Sequence, residues 1–162
     1  IGHSERRRLF GDTDESVNRK LRLAAKNELT AIVCIGETRE EREGGGMFQV
    51  LERQVRVCLR GIRAGETCCL AYEPRWAIGA GVTPTLEEIE ETHTFIRRTV
   101  ADVYGAEAAV AVPLLYGGSV TPENTRDICG LPHVDGVGLG GCSLDYDCFA
   151  RALGEALAAA GA

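Results

Sequence analysis

The stretch Cys68-Cys-Leu-Ala-Tyr-Glu-Pro-Arg-Trp-Ala-Ile-Gly-Ala-Gly-Val-Thr83 decides the fold, because it joins a buried strand to a loop that carries an acid. Its short apolar run predicts a strand over residues 67–72. Glu73 follows at the exit of that strand, where a carboxylate is costly to bury unless it is paired or used. Pro74 then ends the ladder of backbone hydrogen bonds, and a loop of small residues follows. The stretch therefore predicts a functional acid beside a loop that can move.

Similar apolar runs recur along the chain and alternate with amphipathic segments. Strict alternation of short strands with helices is typical of parallel α/β folds, in which functional groups lie at the carboxyl ends of the strands. No linker divides the sequence, so we expect residues 1–162 to form a single domain. The other predicted strands are 30–35, 110–115 and 134–139, and the predicted helices are 14–27, 47–62, 85–104, 121–129 and 144–160.

Composition and charge argue against several classes of function. The 162 residues include 18 Lys and Arg and 24 Asp and Glu, for a net charge of −6, and the basic residues are scattered. We therefore expect no nucleic-acid partner. No apolar run reaches the roughly 18 residues of a membrane span, so no membrane association is predicted, and no signal peptide is predicted either. The seven cysteines lack a Cys-x-x-Cys spacing, which predicts reduced thiols in a cytoplasmic protein and no metal site.

Four groups of residues lie at predicted strand ends or loops, where parallel α/β folds carry their sites. Taken alone, each has an ordinary structural explanation. A strand-end acid often belongs to an ion pair, a lone loop histidine is most often a surface residue, and glycines often mark tight turns. His93 and His133 are expected to be structural. The four groups are His3-Ser4-Glu5, Glu73, Gly117-Gly118-Ser119 and Gly140-Gly141.

The segments around these groups resemble the signature segments of the triosephosphate isomerase family. The matches occur in order and extend over essentially the whole chain. The resemblance implies an α/β fold of the (β/α)8 TIM barrel type, which needs roughly 250 residues. The matching segments are Gly2-His-Ser-Glu-Arg-Arg7, Cys34-Ile-Gly-Glu37 with Arg42, Ala71-Tyr-Glu-Pro-Arg-Trp-Ala-Ile-Gly79, Tyr116-Gly-Gly-Ser-Val120 and Gly140-Gly-Cys-Ser-Leu144.

The same resemblance implies that these 162 residues are a partial barrel. They would start at the end of the fourth strand and lack the first three β/α units. The family's Asn-x-Lys segment at the end of the first strand, whose lysine lies next to the substrate phosphate, would be missing with those units. The family is usually a homodimer, so a homodimer is implied for the full-length protein.

For this family the implied reaction interconverts dihydroxyacetone phosphate and D-glyceraldehyde 3-phosphate through an enediol(ate), in glycolysis and gluconeogenesis, without a cofactor or metal. Glu73 would be the base and His3, as a neutral imidazole, the electrophile; this pairing follows the family, which is the standard example of it. Ser4, Glu5 and Cys34 would lie beside this pair. Glu5 has an equally good interpretation as an exposed ion-pair partner of a neighbouring arginine, and packing is the better interpretation of Cys34.

The remaining implied roles concern phosphate and a lid. Backbone N–H groups at glycines favour a bound dianion, and a closing loop excludes water from the intermediate. Tyr116 and Ser119 would dock the lid. Phosphate would bind at Gly79, Ser119, Gly140 and Gly141, and the lid would comprise Pro74, Arg75, Trp76, Ala77, Ile78, Gly79, Ala80 and Gly81.

Two residues depart from the family pattern. Arg75 stands where the family usually has an aliphatic hinge residue, and Pro113 stands where it usually has an arginine. Proline is unexpected within a central strand because it cannot donate to the ladder. These departures leave two alternatives open: a related isomerase acting on a tetrulose phosphate, and an inactive incomplete barrel that retains only anion binding.

Overall fold

The computed structural model describes residues 1–63, 68–78 and 82–161, which form a parallel β-sheet with helices packed against it. The strands are β1 (Ala31–Ile35), β2 (Cys68–Tyr72), β3 (Leu114–Tyr116) and β4 (Gly136–Val137). The helices are α1 (Ser4–Phe10), α2 (Asp14–Lys26), α3 (Arg39–Glu43), α4 (Met47–Cys58), α5 (Leu86–Tyr104), α6 (Ala106–Val110), α7 (Pro122–Cys129) and α8 (Tyr146–Ala159). A 3₁₀ turn at Gly141–Leu144 precedes α8.

The sheet has the strand order β1-β2-β3-β4, and each neighbouring pair is parallel. Ile35 is in register with Tyr72, Tyr72 with Tyr116, and Tyr116 with Val137. The segments that follow the strands therefore leave the sheet at one edge. Parallel strands in sequence order, joined by helices, confirm the α/β class and are consistent with a partial TIM barrel.

The core lies between the sheet and the apolar faces of the helices. Leu70 in β2, Leu51 in α4 and Ile96 in α5 are each at most 1% exposed. Burying such a side chain contributes about 1.5–3 kcal/mol each. The apolar residues of the strands and those of the apolar helix faces thus pack in one cluster.

Capping boxes fix the starts of three helices. The side chains of Thr13, Thr38 and Thr85 accept hydrogen bonds from backbone N–H groups three residues on, at the starts of α2, α3 and α5. Such a cap contributes about 1 kcal/mol. The cap at Thr85 also fixes Glu88, whose carboxylate bonds Arg42 from α3.

Two elements differ from the sequence prediction at their boundaries. The third strand was expected over 110–115, but α6 continues to Val110 and β3 begins only at Leu114. Pro113 has no N–H for the ladder and stands just before β3, where its carbonyl accepts a hydrogen bond from Leu70 N at 3.0 Å. The fourth strand, expected over 134–139, is restricted to Gly136–Val137.

The sequence predicted no helix before residue 14, but residues Ser4–Phe10 form α1. None of the residues of α1 is buried, so it shows no apolar periodicity from which a helix could be predicted. His3 caps its start, and Gly11 ends it with φ of 69°, a left-handed conformation that glycine adopts without strain.

The expectation of seven reduced thiols is wrong for one pair. Cys142 and Cys148 form a disulfide, with Cα atoms 5.4 Å apart. The turn before α8 brings together two cysteines whose spacing of six residues matches no common motif. The other five cysteines, at positions 34, 58, 68, 69 and 129, form no disulfide.

No helix among the described residues is long and apolar enough to cross a membrane.

Candidate active site

Glu73 lies one residue beyond β2, at the edge of the sheet where the strands end. Its backbone N–H donates to the carbonyl of Ile35 at 2.7 Å, which fixes the main chain between β1 and β2. The residue is 7% exposed. Its Oε2 accepts the backbone N–H of Ser4 at 3.0 Å, and its Oε1 lies 3.5 Å from Nε2 of His3. The predicted base and electrophile are therefore adjacent.

His3 is oriented by the first turn of α1. Its Nδ1 accepts the backbone N–H of Glu5 at 3.3 Å. A ring nitrogen that accepts a hydrogen bond carries no proton, so in the neutral imidazole the hydrogen is on Nε2. That hydrogen faces Glu73 and the open side of the sheet edge, where the His3 side chain is 47% exposed. His3 is thus set to donate a hydrogen bond to a molecule bound there.

Two glycines allow the backbone to approach Glu73 closely. A Cβ atom at Gly36 would lie 1.8 Å from the Glu73 carbonyl oxygen, and one at Gly117 would lie 3.0 Å from its Cγ. The side chain of Gln54 holds Gly36 in place, because it accepts the Gly36 N–H at 2.7 Å and donates to the Gly36 carbonyl at 3.2 Å. Glu73 is therefore enclosed by the ends of β1 and β3.

Cys34 lies beside this carboxylate at the end of β1. Burial, together with the charge of Glu73, raises the pKa of the Cys34 thiol to about 12. The thiol is therefore neutral near pH 7 and unsuited to nucleophilic attack. Its position agrees with a packing role.

Arg7 attaches the His3 segment to the sheet. It donates to the carbonyls of Gly2 at 2.8 Å and Cys34 at 3.2 Å, and it pairs with the buried Asp14 at 2.6 Å. Sequence analysis gave it no role, although Arg7 belongs to the matching segment. The Glu5 carboxylate is 4.0 Å from His3 Nδ1 and 66% exposed, so it lies at the rim.

Glu37 is a second buried acid at the sheet edge, and sequence analysis quoted it only within a matching segment. It is fully buried. Its Oε1 accepts hydrogen bonds from Trp76 Nε1 at 2.8 Å, Arg42 at 3.2 Å and the Tyr72 hydroxyl at 3.2 Å. Burial and the Glu37 charge raise the pKa of Tyr72, so its hydroxyl remains a donor. The sequence feature that could have identified this network is an acid at a strand end followed by an arginine five residues later.

The predicted lid begins on this network. Arg75 N–H donates to the Glu37 carbonyl at 3.1 Å, and the Arg42 guanidinium lies 4.6 Å from the centre of the Trp76 ring. Ala77 is fully buried, and its N–H closes a turn onto the Pro74 carbonyl at 2.8 Å. The predicted lid residues Gly79, Ala80 and Gly81, including the proposed phosphate ligand Gly79, lie outside the described residues.

A cavity of about 560 Å³ opens next to His3. The predicted phosphate-binding residues Ser119, Gly140 and Gly141 lie together around it, and their phosphate-binding role stays a prediction. The described lining includes no lysine or arginine. The lining residues are His3, Ile78, Gly117, Gly118, Ser119, Val120, Thr121, Gly140, Gly141, Cys142, Asp145 and Cys148.

Tyr116 ends β3 beneath this cavity. It is fully buried, and its hydroxyl has no hydrogen-bond partner among the described residues. A Cβ atom at Gly118 would lie 2.1 Å from that hydroxyl, so only glycine fits above it. Tyr116 is not among the residues that line the cavity, and its docking role stays a prediction.

The other histidines have structural environments. His93 is fully buried in α5, its Nδ1 lies 3.1 Å from the His133 carbonyl, and burial lowers its pKa to about 4. His133 pairs with Glu90.

Comparison with known proteins gives a consistent result. The family model described as triosephosphate isomerase matches residues 1–156. The chain is 50% identical over 152 residues to the triosephosphate isomerase of Moorella thermoacetica, covering 93% of this chain and 61% of that protein. It is 47% identical over 152 residues to the enzyme of Citrifermentans bemidjiense, with the same coverage. The protein of that name from Geobacter metallireducens is 47% identical over 151 residues, covering 92% of this chain and 60% of the relative. The chain thus spans about three fifths of the length of these relatives.

Proposed function

Because this chain belongs to the triosephosphate isomerase family, we propose that the full protein interconverts dihydroxyacetone phosphate and D-glyceraldehyde 3-phosphate. The observation that supports this most directly is the 3.5 Å approach of His3 Nε2 to Glu73 Oε1 at the carboxyl edge of the sheet. A carboxylate and an imidazole N–H at one position are the groups that an aldose–ketose isomerisation requires.

The proton transfer follows from this geometry. Glu73 takes a proton from the carbon next to the substrate carbonyl, and negative charge develops on the carbonyl oxygen. The Nε2–H of His3 stabilises that oxygen, giving an enediol(ate). Glu73 then returns the proton to the carbon that had carried the carbonyl, while the proton of the neighbouring hydroxyl passes to the former carbonyl oxygen through His3 Nε2. The two transfers complete the exchange of ketone and aldehyde. The hydrogen bond from Ser4 N–H to Oε2 holds the Glu73 carboxylate in position while the proton moves.

Phosphate recognition is assigned to the cavity beside His3. The backbone at Ser119, Gly140 and Gly141 supplies N–H groups toward a dianion, and Gly79 of the lid would add one more. Closure of the loop that starts at Pro74 would exclude water from the enediol(ate), which otherwise loses phosphate. Ser4, Glu5 and Cys34 support the pair without acting on the substrate.

The four-carbon alternative gains no support from the two departures. Pro113 precedes β3 and therefore lies at the amino end of that strand, whereas the site residues follow the strand ends. Arg75 makes a backbone contact to Glu37. We therefore propose the three-carbon substrate, a role in glycolysis and gluconeogenesis in the cytoplasm, and a homodimer as the assembly.

The test is Glu73→Gln in the full-length protein. Glutamine keeps the shape and an acceptor for Ser4 N–H but cannot accept a proton, so kcat should fall about 100- to 10,000-fold. Solvent deuterium incorporation into dihydroxyacetone phosphate should fall with it. Glu87→Gln on the exposed face of α5 is the matched control and should leave both unchanged.

Unchanged deuterium incorporation in Glu73→Gln would contradict the proposal. Assaying the wild type on triose and tetrulose phosphates side by side separates the two substrates. Phosphate binding without turnover on either substrate would favour the inactive alternative.

A further inference from the structure

The Cys142–Cys148 disulfide bridges the turn that carries two of the proposed phosphate-binding residues. Cys142 follows Gly141 directly within the 3₁₀ turn, and Cys148 lies in the first turn of α8. Both cysteines are half-buried, and both line the cavity beside His3. The disulfide is therefore part of the cavity wall.

The other bonds that shape this turn are local. Ser143 bonds the Gly140 carbonyl through its N–H at 2.9 Å and through its hydroxyl at 2.6 Å. Asp145 caps α8 by accepting the Cys148 N–H at 2.8 Å. Each of these bonds spans three residues, and Gly140 and Gly141 themselves are exposed. The disulfide spans six residues and adds a covalent cross-link between the glycine turn and α8 to that of the main chain.

We propose that this disulfide positions the Gly140–Gly141 turn for phosphate, and that thiol–disulfide exchange with an external dithiol releases the turn and weakens binding of phosphate monoesters. The inference rests on the proposed function of the cavity. Cys142 and Cys148 are positioning residues, since they act through the glycine backbone.

The exchange is a two-electron step. A thiolate of the external dithiol attacks one sulfur, the bond between Cys142 and Cys148 breaks, and a mixed disulfide forms. The second thiol of the reductant displaces that sulfur. Two protons and two electrons pass to the cysteine pair, and the dithiol becomes a disulfide.

Four of the five remaining cysteines are poor partners in such exchange. Burial raises the pKa of Cys34 and of Cys58 to about 12. Burial also raises the pKa of Cys69 and Cys129. The thiolate is the reactive form, so these residues contribute little at neutral pH. Thiol–disulfide exchange at neutral pH is therefore expected at the Cys142–Cys148 pair beside the cavity rather than at these four thiols.

The test measures inorganic phosphate binding by calorimetry on the full chain in the oxidised state, after dithiothreitol, and after reoxidation. If reduction leaves the turn competent for about a fifth of the time, the dissociation constant rises about fivefold. KM for the triose phosphate should rise similarly, with a smaller change in kcat, and reoxidation should restore both. Alkylation followed by peptide mass spectrometry should show Cys142 linked to Cys148 only in the oxidised forms.

Two variants make the result specific. Cys142→Ala with Cys148→Ala should bind phosphate as the reduced protein does, with no response to dithiothreitol. Cys129→Ser removes a half-buried thiol on α7 and should keep the full response. Equal phosphate affinity in both redox states, or loss of the near-ultraviolet circular dichroism on reduction, would overturn the proposal. No phosphate binding in either state would overturn both the phosphate assignment and this inference, whereas equal binding leaves the proposed function standing.

Discussion

Glu73 and His3 are distant in the sequence, and backbone groups hold both side chains. Ser4 N–H binds the carboxylate and Glu5 N–H binds the imidazole, so one turn of α1 orients both members of the pair. Backbone donors in a helix have little freedom to reorient, which preorganises the site. The weak packing of α1 is compensated by Arg7, which attaches it to β1.

At this scale we predict the effect of His3→Ala. Loss of the Nε2–H removes the donor to the developing oxyanion, and loss of one such donor lowers kcat by about 100- to 1,000-fold. KM should change little, because phosphate contacts lie elsewhere in the cavity. Steady-state kinetics on the full-length protein measure both constants. His133→Ala removes the side chain that pairs with Glu90 and is the control, and equal losses of kcat in the two variants would refute the role of His3.

The residues of the site were predictable from the sequence to different extents. His3 and Glu73 stand in distinctive segments at strand ends, so their proximity followed from the parallel topology. Arg7 and Glu37 could not be assigned in the same way, because their partners are contributed by distant elements. Glu37 binds Trp76, for example, which lies 39 residues later.

At the scale of elements, the Glu37 network joins the ends of β1 and β2 to α3, α5 and the start of the lid. Arg42 links Glu37 to Glu88, the residue that also caps α5. The second oxygen of Glu37 has no partner within the part of the chain that the structure describes. A buried charge in such a network is costly to disturb.

We therefore predict that Glu37→Gln lowers the free energy of unfolding by about 1.5–3 kcal/mol, since Arg42 loses one of its two counter-charges and keeps Glu88, while Trp76 keeps an acceptor. Urea unfolding of the full-length protein measures this. Glu52→Gln breaks the exposed pair with Arg56 and should have little effect. An effect of Glu37→Gln as small as that of the control would be incompatible with the network.

Strand and helix boundaries show where sequence patterns fail. The end of β2 at Tyr72 was predicted, because Pro74 bounds its apolar run, whereas residue 67 of the predicted strand lies outside the described residues. β3 was misplaced, because the apolar run 110–115 continues through the end of α6 and Pro113 delays the ladder to Leu114. Periodicity does not distinguish a short buried strand from a buried helical turn.

For the whole molecule, His93 makes stability depend on pH. Its Nε2 is buried and has no partner among the described residues, and its pKa in the folded state is about 4, below the usual 6.5. The unfolded state therefore binds the proton more readily, so stability is full above pH 6.5 and falls as the pH drops toward 4. The loss over that range is about 3 kcal/mol.

Urea unfolding at pH 7.5, 6, 5 and 4.5 tests this for the full-length protein. Carboxylates also make the free energy of unfolding of the wild type depend on pH. The informative quantity is therefore the difference in that free energy between the wild type and His93→Asn at each pH. That variant is expected to be less stable at pH 7.5 and to lose less stability on acidification. Parallel curves for the two proteins would rule out His93 as the source.

Gly36 has a consequence for how this sequence can change over time. Its Cα hydrogen faces the main chain of Glu73, and a methyl group would overlap the Glu73 carbonyl at 1.8 Å. Gly45 has φ of 72° but open space around it, so its constraint is conformational only and another residue that accepts that conformation fits. Position 36 has no such freedom, because any side chain would push the base away from the imidazole. Gly36 takes no part in the chemistry, yet the close spacing of β1 and β2 prevents its replacement by any other residue.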